Sequence, residues 1–155
     1  MFGALIESLG NFNRVISVVI LYAIYRLWRT MQPSIPFPDE NQGPKLISSL
    51  SEFQEILRDN ANSIVVVDFY ATWCPPCRIA APIFHKMSEE QRYVDKKVVF
   101  RKCNVDKAPD VSSYCNVTAM PTFKLFRNNI EVKTMVGWHE GRLRTLIGDE
   151  IQSGV

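Results

Sequence analysis

The sequence predicts an α/β fold, a mixed central β-sheet flanked by helices on both faces, and three observations carry that prediction. Residues 64–70 (IVVVDFY) form a nearly continuous β-branched and aromatic run, the pattern of a central strand buried on both faces. Residues 122–127 and 130–136 alternate like paired strands across Asn128-Asn129, a dipeptide that tolerates the left-handed backbone of a two-residue hairpin. Helical periodicity separates the earlier strands, giving the order βαβαββα, which implies a mixed sheet with helices on both sides.

Each element has its own signal. Ser51-Glu52-Phe53-Gln54 fits a capping box, Ser followed by Gln three residues on, with Phe53, Ile56 and Leu57 on one helical face. The strand at 64–70 follows. Cys74 to about Gln91 reads as a helix that Pro82 should kink. Val98 to Asn104 is a second strand and Pro109 to Tyr114 a short helix. After the hairpin, His139 to Ile151 closes the chain as an amphipathic helix with Leu143, Leu146 and Ile147 facing inward.

Bulk properties fit one globular domain. The chain has 155 residues, 46% hydrophobic and 22% charged, enough for a core. Its net charge of +2 is small and evenly spread, which does not point to nucleic acid as a partner. There are four cysteines, Cys74, Cys77, Cys103 and Cys115, and two histidines, His85 and His139. A zinc site would bring two Cys-x-x-Cys pairs, or one pair with two nearby histidines, so no metal is implied. The count reads as one redox pair plus two extra thiols in a reducing compartment.

Residues 1–30 read as a hydrophobic leader. Val15 to Tyr25 (VISVVILYAIY) is apolar except for one Ser, with Arg14 before it and Arg26 and Arg29 after it. As a helix this run spans about 16 Å, against a bilayer core of about 30 Å. Extension through Trp28 with snorkelling arginines narrows the gap without closing it. Residues 15–28 therefore read first as a membrane contact, an anchor in one leaflet or a short signal anchor facing a reducing compartment. A cleaved mitochondrial presequence comes second: the arginines and lone Glu7 fit, while the unbroken apolar run is less amphipathic than such peptides. A secretory signal would need a small-x-small cleavage site, and none is clear. The remaining reading is a helix packed on the domain or a partner, in a cytosolic protein. Residues 31–44 (MQPSIPFPDENQGP) carry four prolines and a polar run, the composition of a semi-extended linker, which places the domain at 45–155.

The chemistry centres on Trp73-Cys74-Pro75-Pro76-Cys77, directly after the buried strand and at the start of a helix. Two cysteines three apart on a first helical turn can close a disulfide at little backbone cost. The helix N-terminus offers free N–H groups and a positive dipole end, which stabilise a thiolate on the exposed first sulfur. Cys74 is then the attacking sulfur and Cys77, one turn deeper, the resolving one. A structural disulfide or half a metal site is the competing reading of the motif.

Three blocks extend this reading. Asp68-Phe69-Tyr70-Ala71-Thr72-Trp73-Cys74-Pro75-Pro76-Cys77-Arg78, then Lys102-Cys103-Asn104-Val105-Asp106, then Val117-Thr118-Ala119-Met120-Pro121-Thr122-Phe123 resemble the thioredoxin family, closest to its eukaryotic, fungal-like members. The resemblance runs from about Lys45 to Ile151 and implies the thioredoxin fold and protein-disulfide reductase activity. By this resemblance Asp68 is the buried acid behind the disulfide. Burial in an apolar strand should raise its pKa and suit it to take the Cys77 proton, directly or through water. Lys102 corresponds to the lysine beside that acid, or is a solvated strand residue. Pro121 corresponds to a cis-proline against the disulfide, leaving the Met120 backbone free to bond an extended substrate. Trp73, Pro75, Pro76 and Met120 would border the docking surface, and Gly137 corresponds to a glycine where a partner chain approaches closely.

The resemblance also implies partners: a thioredoxin reductase that uses NADPH, and disulfide-bearing proteins such as peroxiredoxins. No cofactor bound to this chain is implied. Cys103 and Cys115 match no catalytic position. Cys103 is expected in the core, and Cys115, near a helix end, at an exposed position open to oxidation or glutathionylation. The chain departs from the family at Pro75, where Gly is commonest. Pro-Pro between the cysteines is similar to nucleoredoxin and tryparedoxin, and Pro75 removes one N–H near the Cys74 sulfur. Two other functions compete, a membrane-tethered disulfide oxidant or isomerase and a redox-sensitive binding module. Oxidants commonly place His before the second Cys, where this chain has Pro76.

Overall fold

The computed structural model describes residues 16–27 and 36–153. They fall in two units, Met1–Ser34 and Ile35–Val155. In the first, residues 16–27 form helix α1, with exposed side chains throughout. Among the described residues, no helix is long and apolar enough to cross a membrane. The rest of the leader and the first residues of the proposed linker lie outside the described residues.

The second unit is built on a five-stranded sheet. Its strands are β1 (Lys45–Ile47), β2 (Ile64–Tyr70), β3 (Val98–Asn104), β4 (Thr122–Arg127) and β5 (Ile130–Val136), in the spatial order β1-β3-β2-β4-β5. The three strands β1, β3 and β2 run parallel, β4 is antiparallel to β2, and β5 is antiparallel to β4. This is the mixed sheet the sequence predicts, with one addition, the three-residue strand β1 at the edge. The connecting helices are α2 (Leu50–Asp59), α3 (Pro75–Glu89), α4 (Gln91–Val94), α5 (Pro109–Tyr114) and α6 (Glu140–Ser153).

Alternation along β2 sorts the two layers. Ile64 and Val66 face a cluster with Ala80, Phe84 and Met87 of α3 and Leu143 and Ile147 of α6. Val65, Val67 and Phe69 face Phe53 and Leu57 of α2 and Val111 of α5. All seven β2 residues are buried, as a strand covered on both faces requires. The same alternation puts Asp68 on the face of Ile64 and Val66, the one that α3 covers.

The local signals hold with small shifts. Asn128 and Asn129 both take positive φ, 51° and 65°, and turn the hairpin. Helix α3 is continuous through Pro82. The capping box of α2 sits two residues earlier than expected: Ser49 caps the helix by accepting from the Glu52 N–H, and the Glu52 carboxylate accepts from the Ser48 N–H. A contact distant in sequence fixes this start, since the Leu50 N–H donates to Asp110 on α5 at 2.8 Å.

The proline-rich segment differs from a free linker over residues 36–44, which fold back onto the sheet. Phe37 stacks on Tyr70 with ring centroids 5.0 Å apart. Glu40 accepts from the Tyr70 hydroxyl at 2.6 Å and the Asn104 amide at 2.7 Å, and pairs with Lys107. An apolar ring with a buried partner and a carboxylate with three donors give this stretch enough contact to offset its ordering.

Candidate active site

The working sulfurs sit where β2 hands over to α3. Cys74 is the N-cap of α3, Pro75 and Pro76 open its first turn, and Cys77 follows. Proline suits these positions because its fixed φ is helical and the missing N–H would have no partner within the helix. The first backbone donor of α3 is therefore that of Cys77. Cys74 and Cys77 form a disulfide with Cα atoms 5.3 Å apart. In this oxidised form Cys74 is only 3% exposed and Cys77 fully buried, so the first sulfur is less open than the sequence suggests. The exposed surface around them belongs to Trp73, Pro75 and Pro76, with Trp73 59% exposed. Trp73 is held by its indole N–H, which donates to Asp106 at 2.9 Å. Arg78 ties the helix to the preceding loop by donating to the Thr72 carbonyl at 3.0 Å.

Asp68 lies on β2 opposite Lys102 of β3 in the parallel register. Its Oδ1 is buried with no hydrogen-bond partner. Burial pushes its pKa from an ordinary 3.8 up to about 7, with the Lys102 charge pulling the other way. Lys102 is itself buried, and burial lowers its pKa against the opposing pull of Glu40, Asp68 and Asp39. Its ammonium donates to the backbone carbonyl of Gln42 at 2.7 Å.

The Met120–Pro121 peptide bond is cis. Met120 is half-buried and packs on the apolar cluster of Tyr70, Ala71, Cys74 and Cys77. The Pro121 carbonyl accepts from the Gly137 N–H at 2.8 Å, which joins the start of β4 to the end of β5. Gly137 has φ +81°, a conformation that L side chains resist, and an added Cβ would meet nothing within 4 Å. Its conformation is set by the turn, and the space above it is open. The structure thus gathers Trp73, Pro75, Pro76 and Met120 around the sulfurs, sets Asp68 beside Lys102 on the neighbouring strands, and ties Gly137 to Pro121.

The extra thiols need one correction. Cys103 is buried as expected, and Cys115 is also buried, at 5% exposure. It packs with Cys103 in the cluster beneath α2 and α5 because the short helix α5 turns its C-cap inward. Burial pushes Cys103 up to about 12 and Cys115 up to about 11, which leaves almost no thiolate on either at neutral pH. Sequence reasoning missed Glu40 and Gln42, which reach Tyr70, Asn104 and Lys102; the Phe37 and Asp39-Glu40 run ahead of Gly43-Pro44 was the available signal.

A disulfide closed across the first turn of a helix, with an exposed apolar border, suits exchange with another disulfide, and the class it defines is the thiol–disulfide oxidoreductases. Comparison with known proteins narrows this. The Thioredoxin family model matches residues 45–149. Thioredoxin from Ophiophagus hannah is 42% identical over 103 residues, covering 66% of this chain and 94% of that protein. Thioredoxin from the fungus Coprinus comatus is 39% identical over 103 residues, covering 66% and 93%. A chain from a structure concerned with thiol resolution in yeast mitochondrial 1-Cys peroxiredoxin via glutathione/thioredoxin systems superposes with a TM-score of 0.62 at 37% identity, covering 68% and 94%. The chain belongs to the thioredoxin family, and it is a thioredoxin-type disulfide reductase.

Proposed function

We propose that the chain reduces protein disulfides in two exchange steps, with Cys74 attacking and Cys77 resolving. The Cys74 thiolate attacks a substrate disulfide, forming a mixed disulfide and releasing one substrate thiolate, which takes a proton. Cys77 then passes its proton to Asp68, directly or through water, and attacks the Cys74 sulfur. The second substrate thiolate leaves, the substrate has gained two electrons and two protons, and the Cys74–Cys77 disulfide is formed. A thioredoxin reductase returns the electrons from NADPH bound to the reductase. The disulfide closed at the N-terminus of α3 is the observation that carries this reading, and the unpartnered oxygen of Asp68 supports its part as proton acceptor.

Substrates dock as extended segments on the Met120 backbone beside Pro121, bordered by Trp73, Pro75, Pro76 and Gly137. Peroxiredoxins are a fitting substrate class, the likeness to the chain from the peroxiredoxin study supporting it. The reduction potential of the Cys74–Cys77 pair against glutathione tests the direction of flow. A value near −270 mV, roughly the thioredoxin level, is expected; a value toward about −180 to −120 mV would make the chain an oxidant or isomerase. A Cys77→Ser variant should trap several substrates as mixed disulfides, whereas one or two partners retained without either cysteine would indicate a binding module.

Residues 1–30 carry the address, with residues 15–28 placing the domain at a membrane facing a reducing compartment. A fluorescent fusion of residues 1–35 tests this. Membrane signal is expected, mitochondrial matrix signal would indicate a presequence, and diffuse cytosolic signal would overturn both.

A further inference from the structure

Residues 36–44 lie outside the stretch the family model matches, yet they are built onto the redox site. Phe37 packs on the apolar cluster that holds Cys74 and Cys77. Glu40 is fixed by three donors, Tyr70, Asn104 and Lys107. Burial pushes its carboxyl up, but those bonds outweigh burial and hold it down at about 2, so it stays an acceptor over the working pH range. Gly43 crosses α3 with φ +80°, and a Cβ there would stand 2.8 Å from Cγ of His85, so the backbone passes closer than a side chain permits. Between these anchors the Gln42 carbonyl takes the Lys102 ammonium. Beneath lies a cavity of about 280 Å³, lined by Phe37, Pro38, Asp39 and Gln42 above and by Asp68 and Lys102 below.

We propose that residues 36–44 are a positioning strap for proton transfer at Cys77, holding Lys102 on the Gln42 carbonyl and roofing the cavity that Asp68 lines, with Glu40 as the pin. The proposal rests on the reading of Asp68 as proton acceptor. A buried carboxylate is the strongest acceptor within reach of a neighbouring ammonium. Committing Lys102 to Gln42 leaves Asp68 Oδ1 without a partner. With the strap closed, the carboxyl binds and releases its proton near neutrality, which suits a base that must work there. With the strap open, Lys102 and water stabilise the carboxylate, and it becomes a weaker base. Other ionisable groups border the same space. The strap contributes Asp39, and the sheet contributes Tyr70 and Lys102; outside the cavity, Glu40 acts on Lys102 by its charge and Cys103 lies within electrostatic reach of Asp68 across the sheet. Helix α3 adds His85, Lys86 and Glu89. Loosening the strap moves only its own two carboxylates and frees Lys102, so the change has a defined origin.

The test follows the Asp68 carboxyl carbon by NMR through a pH titration of the oxidised full-length chain, in which neither active-site sulfur titrates. Glu40→Ala, Gly43→Ala and the double variant Phe37→Ala/Glu40→Ala should lower the Asp68 midpoint by about one pH unit or more. The pH profile of disulfide reduction should move the same way. Glu40→Gln keeps an acceptor for Tyr70 and Asn104 and should recover most of the shift. A midpoint unmoved in all three loosened variants overturns the proposal, and a fall in thermal stability with no change of midpoint reduces the strap to a structural prop and overturns it equally. Failure of the parent reading looks different: Asp68→Asn would then leave the pH–rate profile of the unaltered strap unchanged.

Discussion

The molecule carries two pairs of sulfurs on opposite sides of one sheet. Cys74 and Cys77 sit at the N-terminus of α3, bonded to each other, with exposed Trp73, Pro75 and Pro76 around them. Cys103 and Cys115 lie in the cluster under α2 and α5, both buried and both free. Both pairs are screened from water, so burial alone does not separate a working thiol from an inert one. What differs is the electrostatic setting: a helix N-terminus for one pair, the interior of an apolar cluster for the other. The comparison also shows what a buried charge costs. Asp68 stands unpartnered at Oδ1, a destabilising arrangement that the proposed proton transfer at Cys77 would account for.

The sharpest way to break this contrast is alkylation of the reduced, folded chain at pH 7. Cys74 should react at least about 10³-fold faster than Cys103 or Cys115, because thiols pushed up to about 12 and about 11 carry almost no thiolate. Comparable labelling of Cys115 without unfolding would erase the distinction. Replacing the carboxyl comes next. Asp68→Asn should slow disulfide reduction near neutrality by about 10²-fold, the low end of what a general base supplies.

The same variant should stabilise the oxidised chain. Raised from 3.8 to about 7, Asp68 keeps a proton in the folded state that the unfolded chain has lost across that interval. Stability therefore falls as pH rises through the window, by about 4 kcal/mol in all. Denaturant melts of Asp68→Asn should be flat there and exceed the parent above pH 7; a parent curve already flat would show that Asp68 is not proton-bearing. The smallest effect belongs to the inert pair. Cys103→Ser should cost about 1–3 kcal/mol by burying a hydroxyl where an apolar sulfur packs, with the rate of disulfide reduction unchanged. A rate change would give Cys103 a part in the chemistry.

What the sequence shows of this molecule depends on how local the cause is. Strand β2 and the Asn128-Asn129 hairpin are legible because a run of β-branched residues and two left-handed positions need no distant partner. The redox pair is legible for the same reason, its spacing matching one helical turn. The capping box of α2 is ambiguous, since Ser49-x-x-Glu52 and Ser51-x-x-Gln54 both fit, and the choice falls to the bond between Leu50 and Asp110, 60 residues away. Strand β1 is too short for any period to register. The strap is hidden altogether: its prolines and polar residues have the composition of a linker, while its order comes from Tyr70, Lys102, Asn104 and Lys107, 30 to 67 residues further on. Cys115 is misplaced in the same way, because its burial depends on what α2 lays over it.

Gly137 joins two demands that ordinary mutation cannot pull apart. Its backbone lies in the region open to mirror-image residues, and the space where a Cβ would project is empty. An L-amino acid strains the turn although it would meet nothing in the space around it, and on the proposed function it would also stand at the docking surface. A D-alanine introduced by chemical synthesis would take this φ without strain and would reduce the freedom of the unfolded chain, so it should hold or raise stability where L-alanine lowers it. Handedness at this one carbon thus separates the strain that a side chain brings to the turn from its mere presence there.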